Sequence, residues 1–346
     1  MEIVHELNQL DFGGVERVIR NIIKFDKKNK YTVACYKDGA YREELEKVGA
    51  KIVILGQDEV DLAADVIHIH SGGARSNMAA HLNKSFPIIE TIHSPVRSAV
   101  MNNEVHQRVG VCETVSELNR NAITIKNGLD FDQLQVTKTA TEIKKELGIP
   151  EDKPVIGRLG RLGRDKGLEE WILTCYQLQK GGLDFVPLIV GDEARNDEGY
   201  RGGLKLMCES LPLKNVVWAG HRTDIANLYE VMNVFLYPSP TEGFGLVFAE
   251  AMYCGVPVVT YETPVTHELF AGYALFSDKN IRSLKHNVLR ALSTNYSDEL
   301  IPLAMEWVKS EYQAERMSQQ YQELYEQSNF DPNTHRESKE THVVLT

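Results

Sequence analysis

The chain has 346 residues, 42% of them hydrophobic, and a formal net charge of −11. This length suits two cores better than one, the acidity speaks against a generic polyanion binder, and no apolar run reaches the roughly 20 residues of a membrane span. Five cysteines (Cys35, Cys112, Cys175, Cys208 and Cys254) are odd in number and form no Cys-x-x-Cys pair. That pattern argues against a disulfide frame or a cysteine zinc site and, with no basic and apolar leader over residues 1–6, predicts a cytoplasmic protein.

In chain order, residues 1–6 predict a strand. Gly13-Gly14 follows, and residues 15–25 predict a helix with Val15, Val18, Ile19, Ile22 and Ile23 along one side. Arg17, Arg20, Lys24, Lys27 and Lys28 crowd this segment, as a solvated helix face or as a binding patch. Strands at 31–36 and 51–55 flank a helix at 42–48. A strand at 66–70 puts His68 and His70 on one face; they either pack or pair on a metal, and packing is the simpler reading. Strands at 87–92 and 107–112 complete the first series. Residues 129–153 change register, with a polar Thr-Lys-Thr-Ala-Thr stretch before Leu147-Gly148-Ile149-Pro150, and are read as a linker. A second series follows: strand 155–159, helix 168–179, strands 186–190 and 216–219, helix 225–231, strands 234–237 and 256–260. Helical sequence over 300–326 closes the fold, and residues 328–346 form a polar tail expected to be mobile. The alternation predicts an α/β protein with two parallel, doubly wound domains, 1–128 and 154–310. Ligand crevices are expected at the strand C-termini, on either side of a central cleft. A helix over 311–327 is expected to cross back to the first domain.

Two stretches carry the chemistry. After the strand at 155–159, Gly160-Arg161-Leu162-Gly163-Arg164-Asp165-Lys166-Gly167 is a glycine-rich loop with cations suited to a diphosphate. Its spacing is neither a dinucleotide fingerprint nor a Walker loop. In Thr241-Glu242-Gly243-Phe244-Gly245-Leu246-Val247-Phe248-Ala249-Glu250 two carboxylates stand eight residues apart. On one helix they would lie roughly 12 Å apart along the axis and within roughly 80° around it. Both acids could then serve one elongated ligand, with backbone N–H groups at the helix start meeting an anion. The plainer readings are a surface basic loop, a dipole-favouring Glu242 and an ordinary helical Glu250.

Glu242-x7-Glu250 and the Gly160–Gly167 loop resemble the signatures of retaining GT-B glycosyltransferases of family GT4. Val190-Gly191-Asp192, Ala219-Gly220-His221-Arg222, Phe12-Gly13-Gly14-Val15-Glu16-Arg17, Asp65-Val66-Ile67-His68-Ile69-His70, Thr91-Ile92-His93-Ser94 and Lys126-Asn127-Gly128-Leu129-Asp130 follow the same template. The resemblance covers about residues 1–327. It implies a nucleotide-sugar donor, UDP-sugar favoured, with no metal and no further cofactor. Arg161 and Lys166 would neutralise the departing diphosphate, helped by the backbone of Gly243, Phe244, Gly245 and Leu246. Glu242 would hold sugar hydroxyls and Glu250 the ribose diol. His93 would contact the sugar from the first domain. Gly13 and Gly14 would admit the phosphate and acceptor, and Gly191, His221 and Arg222 would help frame the nucleotide.

Relative to the family, the stretch before the linker is short, so the acceptor wall is expected to be trimmed. A saccharide or small-molecule hydroxyl is the favoured acceptor. A hydroxymethylated base in bacteriophage DNA is the alternative, with Arg17, Arg20, Arg75, Lys84, Arg97 and Arg108 as phosphate contacts and the base flipped out. A non-catalytic GT-B-like subunit, and an epimerase or phosphorylase on the same architecture, are the readings from other classes.

Overall fold

The computed structural model describes residues 1–56, 64–71, 86–100, 105–193 and 197–329. Contacts divide the chain into two compact units: Met1–Asp130 with the stretch from Tyr312 onward, and Phe131–Glu311.

The first unit holds strands β1 (Glu2–Gln9), β2 (Lys30–Lys37), β3 (Lys51–Ile54), β4 (Val66–Ser71), β5 (Ile88–Ile92), β6 (Gln107–Gly110) and β7 (Ala122–Thr124). Helices α1 (Gly14–Phe25), α2 (Arg42–Lys47) and α3 (Glu113–Glu117) connect them. The strands form one parallel sheet in the order β3-β2-β1-β4-β5-β6-β7. Every residue of β5 is buried, as expected where helices cover both faces of a parallel sheet.

The second unit opens with a 3-10 turn (Phe131–Leu134) and α4 (Ala140–Leu147), then β8 (Val155–Leu159), α5 (Leu168–Lys180), β9 (Val186–Val190), α6 (Tyr200–Ser210) and β10 (Val217–Gly220). It continues with α7 (Ile225–Glu230), β11 (Val234–Tyr237), α8 (Leu246–Tyr253), β12 (Val258–Tyr261), α9 (Pro264–Phe270), β13 (Leu275–Ser277), α10 (Ile281–Ala291) and α11 (Thr294–Glu311). Its parallel sheet runs β10-β9-β8-β11-β12-β13. In both sheets the order reverses beside the first strand of the unit, between β1 and β4 and between β8 and β11. Such switch points leave a crevice at the strand C-termini, because the adjacent connections depart to opposite faces.

Two expectations change. The stretch 131–153 is an ordered part of the second unit. Thr139 and Glu142 form a reciprocal capping box on α4, Gly148 ends that helix at φ +67°, and Asn227 Oδ1 accepts from the backbone of Thr137 and Lys138. The helix expected over 300–326 is two helices, α11 and α12 (Ala314–Asn329). At the break, Leu129 N–H donates to Tyr312 O and Ala314 N–H to Leu129 O. A β-bridge to Leu129 thus replaces helical bonding there. A Cβ on Gly128 would lie 2.5 Å from Ala314 Cα, so only glycine lets these backbones meet. Helix α12 then packs on α1, with Ser318 Oγ donating to Ile22 O. Residues 330–346 of the expected tail lie outside the described residues.

Candidate active site

Strands β8 and β11 are neighbours at the switch point of the second sheet, and their C-terminal loops carry the residues singled out above. Lys166 Nζ lies 2.9 Å from Glu242 Oε1 and 3.4 Å from Asp165 Oδ2. These residues are 76 positions apart in the chain, and the strand order alone brings Lys166 and Glu242 together. Burial opposes the Lys166 charge most strongly of any single influence, yet Glu242, Tyr237 and Asp165 together outweigh it and hold the ammonium pKa above its ordinary value. Arg161 reaches Asp165 Oδ1 at 2.8 Å and Asp197 Oδ2 at 3.0 Å. Both cations are thus held by carboxylates.

Glycine fixes the loops. Gly167 stands at φ +62°, and a Cβ there would fall 1.9 Å from Pro238 O, so the two loops interlock at this point. Gly191, at φ +127°, would likewise drive a Cβ to 2.1 Å from Gly160 O. Beneath them lies a residue the sequence reading passed over. Arg158 is fully buried in β8, its guanidinium 4.9 Å from the centre of the Tyr237 ring. Nε and Nη1 of Arg158 find no hydrogen-bond partner among the described residues. Burial pulls its pKa down. The signal was present in the sequence: an arginine inside an otherwise apolar strand.

The helix expected to join Glu242 to Glu250 begins only at Leu246. Glu242 therefore sits in the loop before it, and the helical spacing of the two acids does not apply. Gly245 forms the N-cap at φ +83°, and a Cβ there would meet the Phe248 ring at 2.5 Å. Phe244 and Leu246 bury their side chains, so only their backbones could serve a ligand. Gly243 is half-buried. Glu250 is fully buried, and Tyr229 O–H donates to its Oε2 at 3.3 Å. At the end of β10, His221 is exposed, while Arg222 is clamped by Asp224 through Nε and Nη2 and by Glu146 through Nη1. The Arg222 hydrogen bonds hold the Asp224 carboxyl down at about 2.

In the first unit, Gly13 caps α1 with ordinary extended backbone (φ −140°) and Gly14 opens the helix. A Cβ on Gly13 would meet Glu16 Oε2 at 2.4 Å. Glu16 is buried, which, with Asp11 adding to it, pushes the carboxyl up to about 7. His93 follows β5, with its Nε2 3.0 Å from Nδ1 of His70. His68 and His70 do share a face, packed with His5 from β1.

The cations proposed for nucleic acid fare differently. Arg108 is buried against Glu90 at 2.9 Å, and Arg20 and Lys24 both bind Asp130, so the first two are not phosphate contacts. Arg97 is exposed and Arg17 half-buried. Arg75 and Lys84 lie outside the described residues.

Two doubly wound units, with a cationic glycine loop and a carboxylate meeting at a switch point of the second, define a GT-B protein. Residues 139–314 match the family model of glycosyl transferases group 1, and the chain belongs to that family. It is 30% identical over 149 residues to a lipopolysaccharide core biosynthesis mannosyltransferase of Rhizobium meliloti, covering 43% of this chain and 42% of that one. It is 22% identical over 296 residues to the N-acetyl-alpha-D-glucosaminyl L-malate synthase of Bacillus anthracis, covering 75% and 74%. The match to the mannosyltransferase, and to a capsular polysaccharide glycosyltransferase of Staphylococcus aureus, spans about half the length of each. In fold, the chain is similar to Anabaena HepE solved with UDP and glucose, at TM-score 0.80 and 18% identity over 94% of this chain and 99% of that one. It is also similar to the sucrose-phosphate synthase of Thermosynechococcus elongatus, at TM-score 0.76 and 16% identity over 94% and 98%. Among the described residues no helix is long and apolar enough to cross a membrane.

Proposed function

We propose that this protein is a retaining glycosyltransferase that moves a sugar from a nucleotide-diphosphate sugar, UDP-sugar favoured, to a hydroxyl of a saccharide or small molecule. The observation that carries the reading is the Lys166–Glu242 contact at the switch point, with Arg161 beside it. The HepE fold neighbour holds UDP and glucose, and the mannosyltransferase relative acts in lipopolysaccharide core biosynthesis; both favour a nucleotide-sugar donor and a saccharide acceptor.

In this reading the diphosphate enters against Lys166 and Arg161 and releases Glu242 to the sugar hydroxyls. The bond from the anomeric carbon to the phosphate oxygen breaks, and the acceptor oxygen bonds to that carbon on the same face. The acceptor proton leaves with the phosphate. A cation about 4 Å from the developing charge, in a site of effective dielectric about 20, contributes about 4 kcal/mol. Two such cations and the buried Arg158 can stabilise the leaving group with no divalent ion. Glu250 would hold the ribose once Tyr229 yields, and His93 would contact the sugar.

The test is mass spectrometry of products formed from UDP-, GDP-, ADP- and TDP-sugars with glycan acceptors and with hydroxymethylated DNA, in the presence and absence of a chelator. The reading expects glycosylated saccharide, undiminished by chelation and with the anomeric configuration of the donor. Glycosylated DNA alone, or an inverted product, contradicts it.

A further inference from the structure

Besides the half-buried His93, the first unit buries three histidines, His5, His68 and His70. His5 on β1 stands in register with His68 on β4, and His70 lies two residues further along β4. Nδ1 of His5 is 2.7 Å from Nε2 of His70, and Nδ1 of His70 is 3.0 Å from Nε2 of His93. His68 stands outside this series, held by Tyr325 Oη at 2.8 Å and Thr91 Oγ1 at 2.7 Å.

His5, His68 and His70 have the composition of a metal site, but the distances argue otherwise. Tetrahedral ligands about 2.0–2.1 Å from zinc lie about 3.3 Å from one another. The His5–His70 separation of 2.7 Å is that of a hydrogen bond. The rings are neutral: burial holds His5 down at about 3 and His93 at about 4, and puts His68 and His70 well below 6.5.

A neutral imidazole has one N–H and one lone pair, so the state of one ring in the series sets the next. Nε2 of His5 is buried without a partner among the described residues. Buried N–H groups left orphaned are rarer than under-satisfied acceptors, which places the His5 proton on Nδ1. We propose that His5 and His70 are positioning residues that fix the tautomer and orientation of His93. His5 Nδ1–H donates to His70 Nε2, and His70 Nδ1–H donates to His93 Nε2. His93 therefore carries its proton on Nδ1, where the ring is a donor and not an acceptor. The role toward sugar rests on the function proposed above; the tautomer does not.

Nitrogen-15 NMR of the intact labelled protein, with His93 assigned by its loss in His93→Gln, reads the tautomer directly. Protonated Nδ1 at His93 is expected, against the Nε2–H form that free imidazole side chains prefer in water. Protonated Nε2 overturns the proposal whether or not the protein transfers sugar, and zinc bound at one per chain in the purified protein overturns it equally. In kinetics, His70→Phe is expected to lower kcat about 10–100-fold while UDP affinity stays within about twofold. His70→Asn, whose amide N–H can donate to His93 Nε2, is expected to recover about tenfold of that loss. Equal losses in the two variants, or a matching loss of UDP affinity, contradict the relay. If either variant fails to fold, the tautomer measured in the unaltered chain decides.

Discussion

Arg161 and Lys166 are cations already occupied. Replacing Asp197, one of the carboxylates on Arg161, would remove a competitor for the diphosphate of the proposed function. A partly exposed pair of this kind is worth about 1 kcal/mol, so Asp197→Asn is expected to tighten UDP binding about fivefold by calorimetry; weaker binding would show that Asp197 orients Arg161 and does not compete. Glu16 offers a second test. Its folded-state pKa of about 7 lies above the ordinary 4.5, so the folded protein holds the extra proton between these values. Stability is full below 4.5 and is lost as pH rises through 7. Glu16→Gln is expected to add roughly 2–3 kcal/mol at pH 8 and almost nothing at pH 4, read from urea unfolding. An equal gain at both pH values would mean that the effect is not the buried charge.

At the scale of elements, glycines with forced geometry hold the site loops. Gly245→Ala would place a methyl against the Phe248 ring at a left-handed φ. A loss of about 1–3 kcal/mol in unfolding free energy is expected, with weakened UDP binding because α8 begins there. Unchanged stability would show that the loop adapts. The sequence made β8, β9 and β11 legible to the residue, since each is an apolar run bounded by turn residues. It did not reveal β7 and β13, which are three residues each, nor α9, whose seven residues are too few to set a period; α10 was missed although Ile281, Leu284, Val288 and Ala291 fall at helical spacing. The break at Tyr312-Gln313 was hidden because its cause, the Leu129 backbone, lies far away in the chain. Glu242 and Lys166 were legible as a motif. Arg158 was legible only as a charge inside an apolar strand, without the Tyr237 ring it faces; Asp197 and the His5–His70–His93 series were not legible, because only the fold brings their partners together.

For the whole molecule, the buried histidines set an acid limit. With folded-state pKa values below the ordinary 6.5, their contribution is full above 6.5 and is lost as pH falls, since the unfolded chain takes up protons first. His5, fully buried with a folded-state pKa of about 3, costs about 2 kcal/mol between pH 7 and pH 5. Glu16 acts in the opposite direction over this range, so the effect is clearest in Glu16→Gln, where several kcal/mol should be lost; a flat profile would place water around these rings. The central claim, that the loops after β8 and β11 hold a donor diphosphate, is tested most directly by steady-state transfer from UDP-sugars. Unaltered protein and Lys166→Ala should be measured side by side. The account predicts turnover of at least one donor, and kcat/KM lower by about 10²–10³ in the variant. Full activity in Lys166→Ala, or no donor bound or turned over by the unaltered protein, would contradict it.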